Sequence, residues 1–322
     1  MKFRAYLTLL SLSIIALLAW RIDICHGASA ETLSVSAQVV GGQFNYVVKS
    51  GDSLTGIGAR FSVSTSVLAG ANGLPLSARL QVGQELRVEN RHIAPSLAGD
   101  GIVINIPQRT LFFFKEGQLR HAYPVALGKP DWPTPTGQFT IAVKEENPVW
   151  DVPQSIQEEM RREGKVVKTC VPPGPDNPLG NHWLGLSLGG YGIHGTIAPS
   201  SIYHFQTHGC IRLHPDDIAE LFGEISRGTP AILVYRRLLV AQVAGRIFLE
   251  VHRDIYQKQP AITQEFDQLV RAENLEAKID WPLASDIIRQ QDGIARDITK
   301  QNGTVPANES RSSPYNPTTP RP

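Results

Sequence analysis

Apolar and polar residues alternate with a period that changes several times along this chain, and each change marks a boundary. Ala5 to Trp20 is apolar or small throughout, with Lys2 and Arg4 ahead of it. Tyr46-Val47-Val48 reads as a short strand by its β-branched content. Leu54, Ile57 and Phe61 then recur at helical spacing, and Gly51-Asp52-Ser53 before them supplies a turn and an N-cap. Residues 66–71 predict a second short helix with Val67 and Leu68 inward, ended by Asn72-Gly73. Gly83-Gln84 leads into a closing strand, Glu85 to Val88, and Arg91 to Gly99 reads as a linker. The polar stretch Glu31 to Gln43 reads as the connection from the leader to this unit.

From Gly101 the period shortens to that of strands: Ile102–Ile106, Leu111–Phe114, Ala122–Ala126, Gln138–Val143, Leu184–Leu188 and Ala231–Tyr235. Glu116-Gly117 predicts a hairpin turn, and Pro215 opens a helix carrying Ile218, Leu221 and Phe222. Residues 147–182 are rich in proline and glycine around one charged helical stretch, 156–163; so long an irregular insert is usually a functional loop. After Arg237 the pattern predicts a strand at Ile247–Val251 and amphipathic helices at Ile262–Ala272 and Ala284–Lys300, while Gly303 to Pro322 has the composition of a disordered tail. The fold class expected is multidomain α+β. It comprises a leader (1–30), a βααβ module (45–89), a mainly-β domain (100–236), a helical C-terminal extension (237–301) and the tail (302–322).

Composition narrows the classes. At 322 residues, two or three domains are expected, and 42% hydrophobic with 19% charged residues describes a globular chain. A net charge of +1 gives no reason to invoke nucleic acid or an anionic membrane surface. Ala28-Ser29-Ala30 places small residues where a secretory leader is cleaved, so a periplasmic protein is expected; an uncleaved anchor is the rival. Cys25 follows the bulky Ile24, which argues against lipidation. Without the leader, Cys170 and Cys210 remain, too few for a disulfide framework, and Cys170 reads as a bystander.

The chemistry concentrates in Thr207-His208-Gly209-Cys210-Ile211-Arg212, with His194-Gly195 upstream. A free thiol, with a pKa of about 8.5, is mostly protonated near neutral pH. An imidazole within reach can take that proton and return it to a leaving amine. Zinc is the alternative for His194, His204, His208, Cys210 and His214, but H-E-x-x-H and C-x-x-C spacings are absent. No metal and no cofactor are expected, and the local signature of papain-like proteases is missing.

Two families resemble these segments. Tyr46, Val48, Gly51-Asp52-Ser53-Leu54, Ile57, Phe61, Asn72, Leu80, Gly83-Gln84, Leu86 and Val88 resemble the LysM module. That resemblance implies binding of N-acetylglucosamine-containing glycan, here peptidoglycan, with Gly51, Asp52, Ser53 and Asn72 near the groove; the same residues also serve as caps and turns. Residues 101–235 resemble an L,D-transpeptidase catalytic domain of the YkuD type, through His194-Gly195-Thr196, Thr207 to Arg212 and Thr134-Pro135-Thr136-Gly137. Tyr203-His204 departs from relatives that carry glycine there. By this resemblance Cys210 is the nucleophile and His194 the base, oriented by the Gly195 carbonyl. Backbone N–H groups at Gly209 and Cys210 hold the oxyanion. Arg212, with Thr207 and Tyr191, faces substrate, Arg212 either holding a stem carboxylate or buttressing the loop. His208 is base or scaffold, the family assignment favouring scaffold. The implied partners are glycan strands and tetrapeptide stems, with a stem amine, a wall-anchored lipoprotein or water as acyl acceptor.

Overall fold

The computed structural model describes residue 36 and residues 38–258 and 261–301. The leader, Cys25 and the 302–322 tail lie outside the described residues. No helix among those described is long and apolar enough to cross a membrane.

The first elements among the described residues are β1 (Val39–Val40) and the small module: β2 (Gln43–Val47), α1 (Leu54–Arg60), α2 (Thr65–Ala71) and β3 (Glu85–Glu89). β2 and β3 pair antiparallel, and Ser53 and Ser64 cap the two helices by accepting from Gly56 N–H and Val67 N–H. Tyr46, Leu54, Ile57, Phe61, Leu68 and Val88 close the module's core, which also takes in Ile294 from near the far end of the chain.

Next come β4 (His92–Ile93), β5 (Gly101–Asn105), β6 (Thr110–Lys115), β7 (Gln118–Pro124), β8 (Leu127–Gly128), β9 (Gly137–Glu146) and β10 (Trp150–Asp151). They are followed by α3 (Gln154–Arg162), β11 (Cys170–Val171), β12 (His182–Leu186), β13 (Gly192–His194), β14 (Phe205–Thr207), β15 (Ile211–Arg212), α4 (Pro215–Glu224) and β16 (Pro230–Val234). Eight of these form one sheet in the order β15-β13-β12-β9-β16-β5-β6-β7, antiparallel except at β15–β13 and β16–β5. Ile104, Leu111, Ile141, Leu184, Ile193 and Ile211 fill its inner face against Ile218 and Leu221 of α4.

The remaining elements are β17 (Leu238–Val243), β18 (Arg246–Val251), α5 (Ile262–Ala272), α6 (Trp281–Gln290) and β19 (Arg296–Asp297). Here the sequence reading needs correction. The extension has the expected helices, α5 and α6, but is not helical alone: β17, β18 and β19 form a three-stranded sheet beside them. The helix expected over 284–300 ends at Gln290, because Gln291 turns left-handed (φ 50°) and the chain continues into β19. The 91–99 linker is not free either. β4 pairs with β1, and buried His92 bonds Glu250 of β18 and the Ser62 carbonyl of the small module. Likewise the 31–43 connection is partly structural: Ser36 N–H donates to the Val240 carbonyl, and its hydroxyl donates to Ala94 O. Ala59 of α1 also packs on Ala126, Ile202 and Tyr203, so the segments seal against one another.

Candidate active site

The edge of the large sheet sets the site. β13 and β15 run parallel with Ile193 opposite Ile211 and His194 opposite Arg212. Both isoleucines are fully buried in the core, so His194 and Arg212 turn to the other face. Cys210, two residues before Arg212, shares that face: the Gly192 N–H points to its sulfur, and its thiol donates to Gly190 O at 3.6 Å. One pair of short strands thus gathers thiol, imidazole and guanidinium.

His194 is buried and its Nδ1 lies 2.7 Å from the Gly195 carbonyl. A carbonyl only accepts, so Nδ1 carries the hydrogen and Nε2 keeps its lone pair. Burial and then the Arg212 charge bring the ring's pKa down to about 3, against the Gly195 and Leu179 carbonyls. The imidazole is neutral. Trp183, opposite His194 on β12, tilts its ring over it at 5.9 Å between centroids. Burial pushes the Cys210 thiol up, while the Gly192 N–H and the Arg212 charge favour the thiolate. Thiol and imidazole thus both rest uncharged, with the Arg212 cation acting on each. Arg212 donates from Nη1 to Ser201 Oγ at 3.0 Å, and its buried Nε has no partner among the described residues.

The turn before the cysteine is held from several sides. Gly209 has φ +103°, and a Cβ there would meet the Tyr191 ring at 2.7 Å, so only glycine fits. The Thr207 hydroxyl donates to Cys210 O (2.6 Å) and accepts from Gly209 N–H (3.2 Å). Two expectations change accordingly. Thr207 is buried with its hydroxyl engaged inside the turn, so it does not face substrate. The Gly209 N–H is likewise engaged, leaving the Cys210 N–H, without a partner among the described residues, as the donor available to an oxyanion. His208 turns away from this group: its Nε2 lies 2.5 Å from Glu159 of α3, its ring meets Trp132 edge-on, and Lys129 donates to the same carboxylate at 3.0 Å. The 147–182 insert is thereby tied to the catalytic turn. Cys170 is exposed, and both it and Cys210 are free thiols.

Sequence reasoning missed Glu159, Ser201 and Trp183. Glu159 sits in a run of mixed charges, Ser201 in an unpatterned loop and Trp183 in an ordinary strand, so only the fold reveals them.

In the small module the proposed glycan contacts are committed internally. Asp52 Oδ2 accepts from Tyr46 Oη (2.7 Å) and Lys49 N–H (2.8 Å). Asn72 donates to Leu68 O and Arg87 O and accepts from Arg87 N–H at 2.7 Å. Asn72 and Ser53 thus have structural roles within the module, Ser53 as the cap of α1 and Asn72 as a tie between α2 and β3. Gly51 has open space around it.

Comparison with known proteins agrees with this layout. Residues 99–233 match the family described as L,D-transpeptidase catalytic domain, and residues 46–89 match the LysM domain. The Escherichia coli (strain K12) protein named "Probable L,D-transpeptidase YcfS" is 32% identical over 222 residues, 67% of this chain and 69% of that protein. "Probable L,D-transpeptidase ErfK/SrfK" of Salmonella typhimurium is 33% identical over 178 residues, 54% of this chain and 57% of its own length. The solved catalytic domain of an E. faecium L,D-transpeptidase, 23% identical, covers 43% of this chain and 98% of its own with a TM-score of 0.32. By the family match and the identity to YcfS over two thirds of that protein, the chain belongs to the L,D-transpeptidase family and carries a LysM domain ahead of its catalytic domain.

Proposed function

We propose that this chain is an exported enzyme that acylates Cys210 with peptidoglycan stem peptides and passes the acyl group to an amine. His194 Nε2 takes the thiol proton as the sulfur attacks the carbonyl between residue three and the terminal D-alanine of a tetrapeptide stem. The Cys210 N–H receives the oxyanion; one such donor is typically worth roughly 3 kcal/mol. The imidazolium returns its proton to the departing D-alanine amine, leaving a thioester. An incoming amine attacks that carbonyl, gives a proton to His194 and releases the thiol, so one amide is made for each one broken. A stem amine gives a 3–3 cross-link; a lysine of a wall-anchored lipoprotein gives a protein attachment.

The single observation that carries this reading is the parallel register of β13 and β15, which puts Cys210, His194 and Arg212 on one face. Arg212 favours the thiolate and, with donors beyond its Ser201 bond, suits a stem carboxylate. The LysM domain holds the enzyme on glycan and raises the local concentration of stems. Export to the periplasm brings enzyme and wall together.

Digestion of purified wall, with fragments resolved by mass, tests the proposal. Dimeric 3–3 fragments support transfer; trimmed tripeptides replace it with hydrolysis through the same thioester; unchanged wall leaves only a binding scaffold. Cys210→Ala giving the products of the wild type would overturn the mechanism.

A further inference from the structure

The family match stops at residue 233, yet a side chain from beyond it reaches the catalytic turn. Tyr256 Oη donates to Gly128 O at 2.6 Å and accepts from Thr134 N–H at 3.1 Å. The Thr134 hydroxyl accepts from Gly128 N–H and donates to Gly209 O, both at 2.9 Å. Gly128 permits this closeness, since a Cβ there would lie 2.1 Å from Trp132 O. Tyr256 is itself fixed. Its N–H donates to Tyr235 Oη (2.9 Å), which donates to Asp254 (2.7 Å), and its ring stacks on Tyr235 and meets Phe205 edge-on.

The carbonyl at the end of this chain belongs to the same peptide plane as the Cys210 N–H. A trans peptide is rigid and its C=O and N–H point in opposite directions, so gripping the oxygen aims the hydrogen. Thr207 fixes the neighbouring Gly209 N–H and Cys210 O, but neither of those lies in this plane. We infer that Tyr256, supplied by the C-terminal extension, is a positioning residue that acts through Thr134 to orient the Gly209–Cys210 peptide toward the developing oxyanion. The inference rests on the proposed acyl transfer and gives the extension a part in it: the catalytic unit ends after Tyr256, not at the end of the family's domain.

The test compares full-length wild type, Tyr256→Phe, Thr134→Val and the double variant in single-turnover acylation by a tetrapeptide stem and in alkylation by iodoacetamide. Alkylation needs the thiolate but forms no oxyanion. Expected for Tyr256→Phe is a roughly tenfold fall in acylation, with KM and alkylation within about twofold of wild type; a lost oxyanion donor costs about 10²–10³, and misaiming one costs less. Thr134→Val falls further, and the double variant no further than Thr134→Val, because both act in one line. Hydrogen exchange of a peptide spanning 203–213 rises in Tyr256→Phe, a readout needing no reaction. Unchanged acylation with unchanged exchange overturns the inference. So does a parallel fall of acylation, alkylation and thermal midpoint, which marks a merely structural role. If wild type leaves the stem untouched, the transfer reading falls, and the exchange measurement alone then decides for or against the hold of Tyr256 on the turn.

Discussion

His194 and His92 are equally buried, each 4% exposed, yet they carry opposite charge states. His194 faces a carbonyl and a guanidinium and stays neutral. His92 has Nδ1 2.8 Å from Glu250 Oε1 and Nε2 2.9 Å from Ser62 O. Both partners are acceptors, so both nitrogens carry hydrogen and the ring is an imidazolium. Burial alone would lower its pKa, but the Glu250 carboxylate, by charge and hydrogen bond, raises it. Glu250 in turn is held down at about 2 despite its burial, by the charge of His92 and the bonds from His252 and His92. Burial makes the charge of a histidine costly to get wrong; the partner decides its sign. The neutral arrangement stands where the proposed mechanism moves a proton, and the ionic one where segments are joined: Ile93 N–H and Gln108 also bond Glu250.

That contrast can be broken experimentally. The largest effect is expected at the neutral site, where Cys210→Ala or His194→Ala lowers single-turnover acylation at least about a thousandfold, by analogy with knockouts of acyl-transfer nucleophiles and bases. The thermal midpoint of Cys210→Ala should stay near that of wild type. Glu250→Gln should do the reverse. It removes one partner of a fully buried ion pair, a change that costs about 3–5 kcal/mol, readable as a lower denaturation midpoint.

Stability against pH then separates the two rings. His92 has a folded pKa above its unfolded value of about 6.5, so its contribution is complete below that pH and is lost as pH rises through the folded value. His194 has a folded pKa of about 3, so the native state loses stability as pH falls from about 6.5 toward 3. Denaturant midpoints from pH 4 to 10, conditions chosen to bracket about 6.5, should lose part of their alkaline decline in His92→Gln and part of their acid decline in His194→Gln. Interchange of those two outcomes would refute the assigned charges. The smallest effect expected is on the thiol: iodoacetamide should alkylate Cys210 with a pH midpoint above that of an ordinary cysteine, and Arg212→Met should move it higher still.

Much of this was legible beforehand because it rests on local chemistry. The module's helices follow from Ser53 and from the Leu54, Ile57, Phe61 stripe, and the catalytic turn from a glycine between histidine and cysteine. What escaped was long-range. β17 was invisible because its hairpin turns at Ala244-Gly245, both with positive φ, where the usual signal is Asn-Gly or Asp-Gly. The linker was misread because the partner of His92, Glu250, lies far along the chain. The bonds of Asn72 escaped as well, because no pattern shows that Arg87 lies opposite its amide.

Ile294 has a further consequence. It is 1% exposed within the interior formed by residues 46 to 88, so a core built early in synthesis is completed by a side chain supplied much later in the chain. That interior closes only after translation has passed position 294. A nascent chain stopped at residue 233, the end of the family's catalytic match, still lacks that side chain from its LysM core.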